Sequence, residues 1–289
     1  MSQSRVRSTS KPMILLHVAV AALYALAAWG LWPQRAMATA NPAPPTQRQA
    51  AWIAMTLPAA IALHAWLSLS DLTTPRGLDL SLANAPSIVA WIAVAVAWVS
   101  GLLRTLPALG AVVLPIAAIL SLLPALWTNT HRYAYVGDPL ATAHIAVAFV
   151  AYALFIIAAV MAFMLMGLEN RLHRRLLDPG SADLPPLLTL ERFLFRLITA
   201  GFVLLTLTLA SGMLFSEQIF GKPVTFGHQV GHKIVFSALS WLTFGALLWG
   251  RWRYGWRGRV ALRWIIAGTA FVFLAYLGSK FVIEVLLGR

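Results

Sequence analysis

Apolar residues in this chain come in runs about as long as a bilayer core is thick, and the charge sits in the short segments between them. Crossing about 30 Å of hydrocarbon takes roughly 20 helical residues. Stretches that meet or approach that length are Met13–Trp32, Ala50–Ser70, Pro86–Leu103, Leu106–Leu126, Leu140–Leu168, Leu194–Ser216, Val230–Gly250 and Leu262–Leu287. Runs that are apolar on every face predict helices whose solvent is lipid. Little more than Arg104 and Thr105 separates the third run from the fourth, which predicts a tight helical hairpin or a re-entrant pair. Pro58, Pro107, Pro115 and Pro124 each remove a backbone donor and predict kinks or helix ends. The fold class expected is all-α, a polytopic transmembrane bundle of about eight spans.

Composition strengthens this reading. Hydrophobic residues make up 60% of the 289 positions and charged ones 11%, and the mean hydropathy is +0.77; both lie outside the range of soluble globular domains. A net charge of +13 suggests nucleic acid in a soluble protein, but here it is spread over short loops and sets topology. Eight spans put Arg35, Arg48, Arg104, Arg171, Arg174, Arg175, Arg192, Arg196, Arg251, Arg253, Arg257, Arg259 and Arg263 on one side. Arg76, Arg132, Lys222, Lys233, Lys280 and Arg289 fall on the other. The arginine-rich side is the cytoplasmic one, so both termini face outward across a bacterial inner membrane. Residues 1–12 carry three positive charges against that rule and are read as a tail, either a start-site extension before Met13 or a weakly ordered arm. Arg5, Arg7 and Lys11 before an apolar run, with Ala36-Met37-Ala38 after it, also fit a signal peptide, although the run is long for one. Residues 13–289 are expected to form one transmembrane domain. The longest polar connection, Glu169 to Glu191, reads as a cytoplasmic loop with a short interfacial helix ending at Pro185-Pro186.

The chain has no cysteine, which excludes disulfides, thiolate metal sites and haem attachment through its own thiols. Histidine therefore becomes the informative residue. His17, His131, His144, His228 and His232 fall at or near the outer face, His64 lies within the second span, and His173 is cytoplasmic. Helix-borne imidazole can ligate haem iron without any thiol. His144 lies one turn inside the fifth span, with Phe149 nearby and Tyr152 two turns deeper on roughly the same face; a structural histidine bonded to a neighbouring helix is the competing reading. His228 and His232 are spaced i, i+4 and share a face if the seventh helix extends outward beyond Val230. That spacing can grip a metal or arise in an ordinary interfacial turn, and Lys233 beside it suits an anionic group. Lys280 and Glu284, also i, i+4, read as a mutual pair near the outer interface. Trp241, Trp249, Trp252, Trp256 and Trp264 read as interfacial anchors. No phosphate loop, Ser/His/Asp arrangement or paired carboxylates within one span is present, which disfavours hydrolytic enzymes.

Four ordered stretches resemble a known family. They are Leu80-Ser81-Leu82-Ala83-Asn84; Ala143-His144-Ile145 leading to Tyr152; Leu190-Glu191-Arg192 running to Leu205-Thr206-Leu207-Thr208 and Ser211-Gly212; and Gly255-Trp256-Arg257-Gly258-Arg259 followed by Tyr276-Leu277-Gly278. In order and spacing they resemble the membrane family of cytochrome c assembly proteins, in its shorter CcsA-, YpjD- and HemX-like branch. The resemblance implies an eight-helix bundle that handles haem at the outer face, with His144 matching a histidine that ligates haem iron. Three features depart from the family. The segment Gly221 to Gly231 contains neither the tryptophans nor the aspartate of the family's haem-binding loop, and Trp249 stands where a membrane-embedded histidine is expected. A second outer histidine has no counterpart before Arg289.

The function this implies is binding or relaying haem, of the b type, at the outer face, by an assembly factor rather than an enzyme, with haem-lyase activity in doubt. Cofactor-binding candidates are His144, His228, His232, Tyr152 and Lys233, with His144 on the iron. Expected partners are haem, lipid and other membrane assembly proteins, and no nucleic acid. The rival expectation is a non-catalytic membrane adaptor that regulates tetrapyrrole synthesis or supports a metal-efflux complex through its arginine-rich cytoplasmic loops.

Overall fold

Lipid offers no hydrogen bonds, so each apolar run must satisfy its backbone internally. The computed structural model of the chain resolves them as helices and describes residues 11–36, 47–74, 77–127, 132–133, 139–173, 187–214 and 231–278. In chain order these are α1 (Lys11–Ala36), α2 (Gln47–Leu72), α3 (Asn84–Val99), the single turn α4 (Leu102–Thr105), α5 (Pro107–Leu126), α6 (Pro139–His173), α7 (Leu187–Leu214), α8 (Gly231–Tyr254) and α9 (Gly258–Phe273). α9 continues into a π-helical turn, Leu274–Gly278. Helices α1, α5, α6, α7, α8 and α9 with its π turn contain stretches long and apolar enough to cross a membrane. α2 has 26 residues and α3 has 16.

Packing divides the chain into two compact units, Met1–Val136 with Asp178–Leu184, and Gly137–Leu177 with Pro185–Arg289. In the first, α1 packs on α5 and α2, and α3 packs on α5 and α2. The third and fourth apolar runs fold as two helices, α3 packed on α5, joined by a tight turn. α3 stops at Val99, Gly101 takes a left-handed φ of 71°, α4 makes one turn, and Pro107 opens α5. Only glycine adopts that φ without strain, and proline suits a first helical position because its missing N–H has no helical partner there. Pro58 lies inside α2, and Pro115 and Pro124 lie inside α5. A small antiparallel sheet, β1 (Thr73–Thr74), β2 (Gly77–Asp79) and β3 (Arg132–Tyr133), follows α2 with strand order β1-β2-β3. Strands of two or three residues leave no periodicity to read, and the fold class remains all-α, as expected.

In the second unit α6 packs on α7 and α9, and α8 packs on α9 and α7. Its core centres on Phe155 of α6 stacked on Phe244 of α8, with centroids 4.0 Å apart and planes 5° from parallel. Two glycines let the backbone approach these rings. A β-carbon on Gly201 would lie 2.9 Å from Phe155, and one on Gly268 would lie 2.8 Å from Phe244. At the opposite helix ends, Arg251 of α8 meets Glu191 of α7 at 2.8 Å and stacks its guanidinium 3.5 Å from the Phe195 ring centre. Arg259 of α9 donates to Asn170 of α6 at 2.8 Å and lies 3.7 Å from Glu169. Each pair joins residues that the charge rule assigns to the cytoplasmic side. The α8–α9 turn uses Gly255 at φ 68° and Gly258 at φ 54°.

Two boundaries and one tryptophan differ from expectation. α6 runs on through Glu169 to His173 and α7 starts at Leu187, so both ends of the expected 169–191 loop are helical. Trp241 lies mid-helix, stacked on Phe202 and donating from Nε1 to the Thr206 hydroxyl at 2.9 Å; it packs helices together rather than anchoring at an interface. Trp249 and Trp252, in contact at 5.1 Å, are 60% and 75% exposed as anchors should be. The N-terminal tail up to residue 10, His131, the expected short helix before Pro185-Pro186, and the Lys280–Glu284 pair lie outside the described residues.

Candidate functional site

His144 sits in the second turn of α6, half-buried, with Nδ1 2.8 Å from the Ser211 hydroxyl of α7. Ser211 donates its own proton back to the Thr208 carbonyl at 3.1 Å, so it accepts from His144, and Nδ1 is the protonated nitrogen. The lone pair is thereby assigned to Nε2, the tautomer a metal-binding imidazole takes when its other nitrogen is bonded to a neighbouring group. Gly212 completes the seat: a β-carbon there would lie 3.3 Å from His144 Cε1. The Ser211-Gly212 pair thus acquires a physical role, one residue orienting the ring and the next giving it room.

Tyr276, in the π turn after α9, gathers other residues near that helix end. Its ring meets Phe149 edge-on at 6.4 Å and Tyr152 at 6.1 Å, and Lys233 Nζ of α8 lies 5.9 Å from its centre. Single π turns inside helices recur at functional sites because they re-aim side chains. Tyr152 and Lys233, both expected at the site, therefore share Tyr276 as a neighbour. His144 is held separately by α7. His228 lies outside the described residues; His232 falls in the first turn of α8, but its side chain is not among those described. Among the described residues no three histidine, aspartate or glutamate side chains converge as a metal cage. A haem iron needs only one or two axial donors from protein.

The first unit contains a polar cluster that residue-by-residue reading missed. His17 of α1, 2% exposed, has Nδ1 2.8 Å from the Ser121 carbonyl of α5 and Nε2 3.2 Å from Asp71 Oδ2 of α2. His64 of α2, fully buried, bonds the Tyr24 hydroxyl of α1 at 3.1 Å and the Ser87 hydroxyl of α3 at 2.9 Å. Asn84 donates to the carbonyls of Asp71 and Asp79 at 3.3 and 3.2 Å, and the Ser81 hydroxyl accepts from the Asn84 amide at 3.3 Å. The Leu80–Asn84 stretch therefore ties the end of α2 to the start of α3. One signal was available in sequence: His17 and Tyr24, and likewise His64 and Asp71, are spaced i, i+7 and so share a helix face.

Comparison with known proteins agrees with this architecture. Residues 53–287 match the family described as "Cytochrome C assembly protein". Among curated proteins the chain is 35% identical over 139 residues to "Inner membrane protein YpjD" of Escherichia coli K12, covering 48% of this chain and 50% of that protein. It is 35% identical over 145 residues to an "Uncharacterized 28.8 kDa protein in nifR3-like 5'region" of Azospirillum brasilense, covering 50% and 52%. It is 30% identical over 89 residues to "Cytochrome c biogenesis protein CcsA" of Prochlorococcus marinus MIT 9303, covering 31% and 27%. The chain thus spans about half the length of the first curated relatives it matches. No solved structure matches it. The family match extends over most of the chain, and the apolar helices supply the membrane spans; the chain belongs to the cytochrome c assembly protein family and is a multi-pass protein of the bacterial inner membrane.

Proposed function

We propose that the chain binds haem at the outer face of the membrane, with Nε2 of His144 as an axial ligand, and holds or relays it for cytochrome assembly. The observation that carries this reading is the Ser211–His144 hydrogen bond, which engages Nδ1 and leaves Nε2 as the basic nitrogen of the ring. The donor set suits the group in chemical type: a half-buried imidazole at His144 and, gathered around Tyr276, the aromatic rings of Phe149 and Tyr152 and the Lys233 ammonium. When bound, haem supplies a redox-active iron and a flat apolar surface. His144 would hold the iron, Ser211 orients its ring, and Lys233 and Tyr276 would offer charge and a hydrogen-bonding edge. The relative named for cytochrome c biogenesis supports haem as the cofactor class, and the b type is the form expected because this chain has no thiol for covalent attachment. Other membrane assembly proteins are the proposed partners. Neither the tryptophan-rich segment nor the embedded histidine of the family has a counterpart at Gly221–Gly231 and Trp249, so the proposal is haem holding rather than haem-lyase chemistry.

The adaptor reading draws on the exposed Arg253, Arg257 and Arg263 beside Trp252 and Tyr254, a basic and aromatic surface suited to a cytoplasmic partner. A visible spectrum separates the two. The protein, expressed with ample haem and purified in mild detergent, is expected to show a Soret band and, after dithionite, the sharpened bands of a reduced b-type haem. A protein that carries no Soret band under those conditions favours the adaptor.

A further inference from the structure

The polar groups of the first unit form a column between helices that are otherwise apolar. His17 and Tyr24 lie on one face of α1, and His64 and Asp71 on one face of α2, each pair two turns or about 10 Å apart along its axis. Ser68 lies on the same α2 face, four residues after His64 and three before Asp71. His17, Tyr24, His64 and Ser68 are 2%, 0%, 0% and 5% exposed. Ionisable groups placed so deep in a membrane bundle are costly and commonly mark ion or proton paths.

Proton positions follow from the partners. The Ser121 carbonyl can only accept, so Nδ1 of His17 carries a proton. Nε2 then faces Asp71 Oδ2 at 3.2 Å, and that buried oxygen has no hydrogen bond of regular geometry among the described residues. A bare lone pair against a carboxylate in a low dielectric is repulsive. A proton on either group removes that repulsion, giving imidazolium facing carboxylate or carboxylic acid facing imidazole. His64 is the complementary case. Its two partners, Tyr24 and Ser87, are hydroxyls that donate or accept, so both neutral tautomers are satisfied, and a proton received at one nitrogen can leave from the other. Between these sites stands Ser68, whose buried hydroxyl has no hydrogen-bond partner among the described residues; a buried polar atom in that position is where an ordered water belongs.

We propose that this column is a proton relay in which the His17–Asp71 pair stores one proton, and Ser68 with a water passes it to His64 and Tyr24. The ligand is the proton itself. One N–H or O–H bond breaks at the pair as the water takes that proton; the water hands one to the Tyr24 oxygen while the Tyr24 O–H bond breaks and its proton forms an N–H bond at His64 Nδ1, so that Tyr24 ends neutral, His64 ends as imidazolium and no electron moves. Among the described residues, the titratable groups facing the column are His17 and Tyr24 from α1, His64 and Asp71 from α2, and Asp79 from β2. α3 and α5 contribute Ser87, Asn84 and Ser121. Asp79 Oδ1 accepts from the Ser81 amide at 3.2 Å, which keeps that carboxylate at the end of the column.

Nitrogen magnetic resonance of the full chain, labelled at histidine and held in lipid nanodiscs, combined with infrared detection of protonated carboxyl groups, tests this. At neutral pH the wild type should show the stored proton, either as a doubly protonated His17 or as a protonated carboxyl band. Whichever signal is present should vanish in Asp71→Asn. His64 should average over two tautomers in the wild type and collapse to one in Tyr24→Phe. Ser68→Ala, which leaves every ring in place and guards against a misfolded Asp71 variant, should slow the averaging. A neutral His17 beside a fully ionised Asp71, a His64 locked in one tautomer in the wild type, or unchanged averaging in Ser68→Ala would overturn the relay.

Discussion

The hydroxyl of Ser211 decides which nitrogen of His144 can meet a metal. Replacing it with alanine leaves Nδ1–H without its acceptor on α7 and frees the ring to turn. Loss of such a supporting bond commonly weakens metal affinity about 10–100-fold, so Ser211→Ala should retain haem but bind it more weakly in a haemin titration. An affinity equal to wild type would remove Ser211 from the site. Gly212→Ala tests the same seat sterically, since the new methyl would lie 3.3 Å from Cε1; it should shift the haem absorption bands while leaving helix content intact. At this scale the sequence was partly legible. His144 stood out by its depth and side, but its partner lies 67 positions away, and no local pattern gives that pairing. The same limit hid the His17–Asp71 and Tyr24–His64 contacts, where spacing marks a face without naming the helix opposite.

At the scale of elements, apolar length predicted the described helices apart from the single turn α4, and glycine, proline and the distribution of arginine governed the ends. Gly101 and Pro107 divide the third and fourth runs, and Gly255 and Gly258 turn α8 into α9. Helix-to-helix pairing was not legible, because lipid-facing helices are apolar all round and show no clear inward stripe. Two contacts test it. Arg251→Ala removes both the Glu191 pair and the cover over Phe195, leaving Glu191 partly buried without that partner. The expected destabilisation is about 1–3 kcal/mol, measured as a lower unfolding temperature in detergent. Gly268→Ala drives a methyl into the Phe244 ring and should cost about 1–3 kcal/mol as overpacking, read by the same thermal scan; an unshifted midpoint would mean that the Phe155–Phe244 stack is looser than described.

For the whole molecule, the charge rule assigns arginine to the inside and most histidines to the outside; within the second unit Glu191 meets Arg251 at one end and His144 meets Ser211 at the other, and the orientation of those ends is open to labelling. The small sheet and the division into two units were not visible, since neither leaves a signature in hydropathy. Because the chain has no native cysteine, topology can be read without background. Tyr254→Cys should react with a membrane-impermeant maleimide only from the cytoplasmic side, and Leu140→Cys only from the outer side; the reverse pattern would invert the bundle. The central claim is that His144 carries haem iron at that outer end. Its most direct measurement is the visible spectrum of His144→Gly, purified after expression with ample haem, with and without added imidazole. Loss of the b-type bands, restored when imidazole occupies the vacated ligand position, is the predicted result. A spectrum identical to wild type in the absence of imidazole would contradict it.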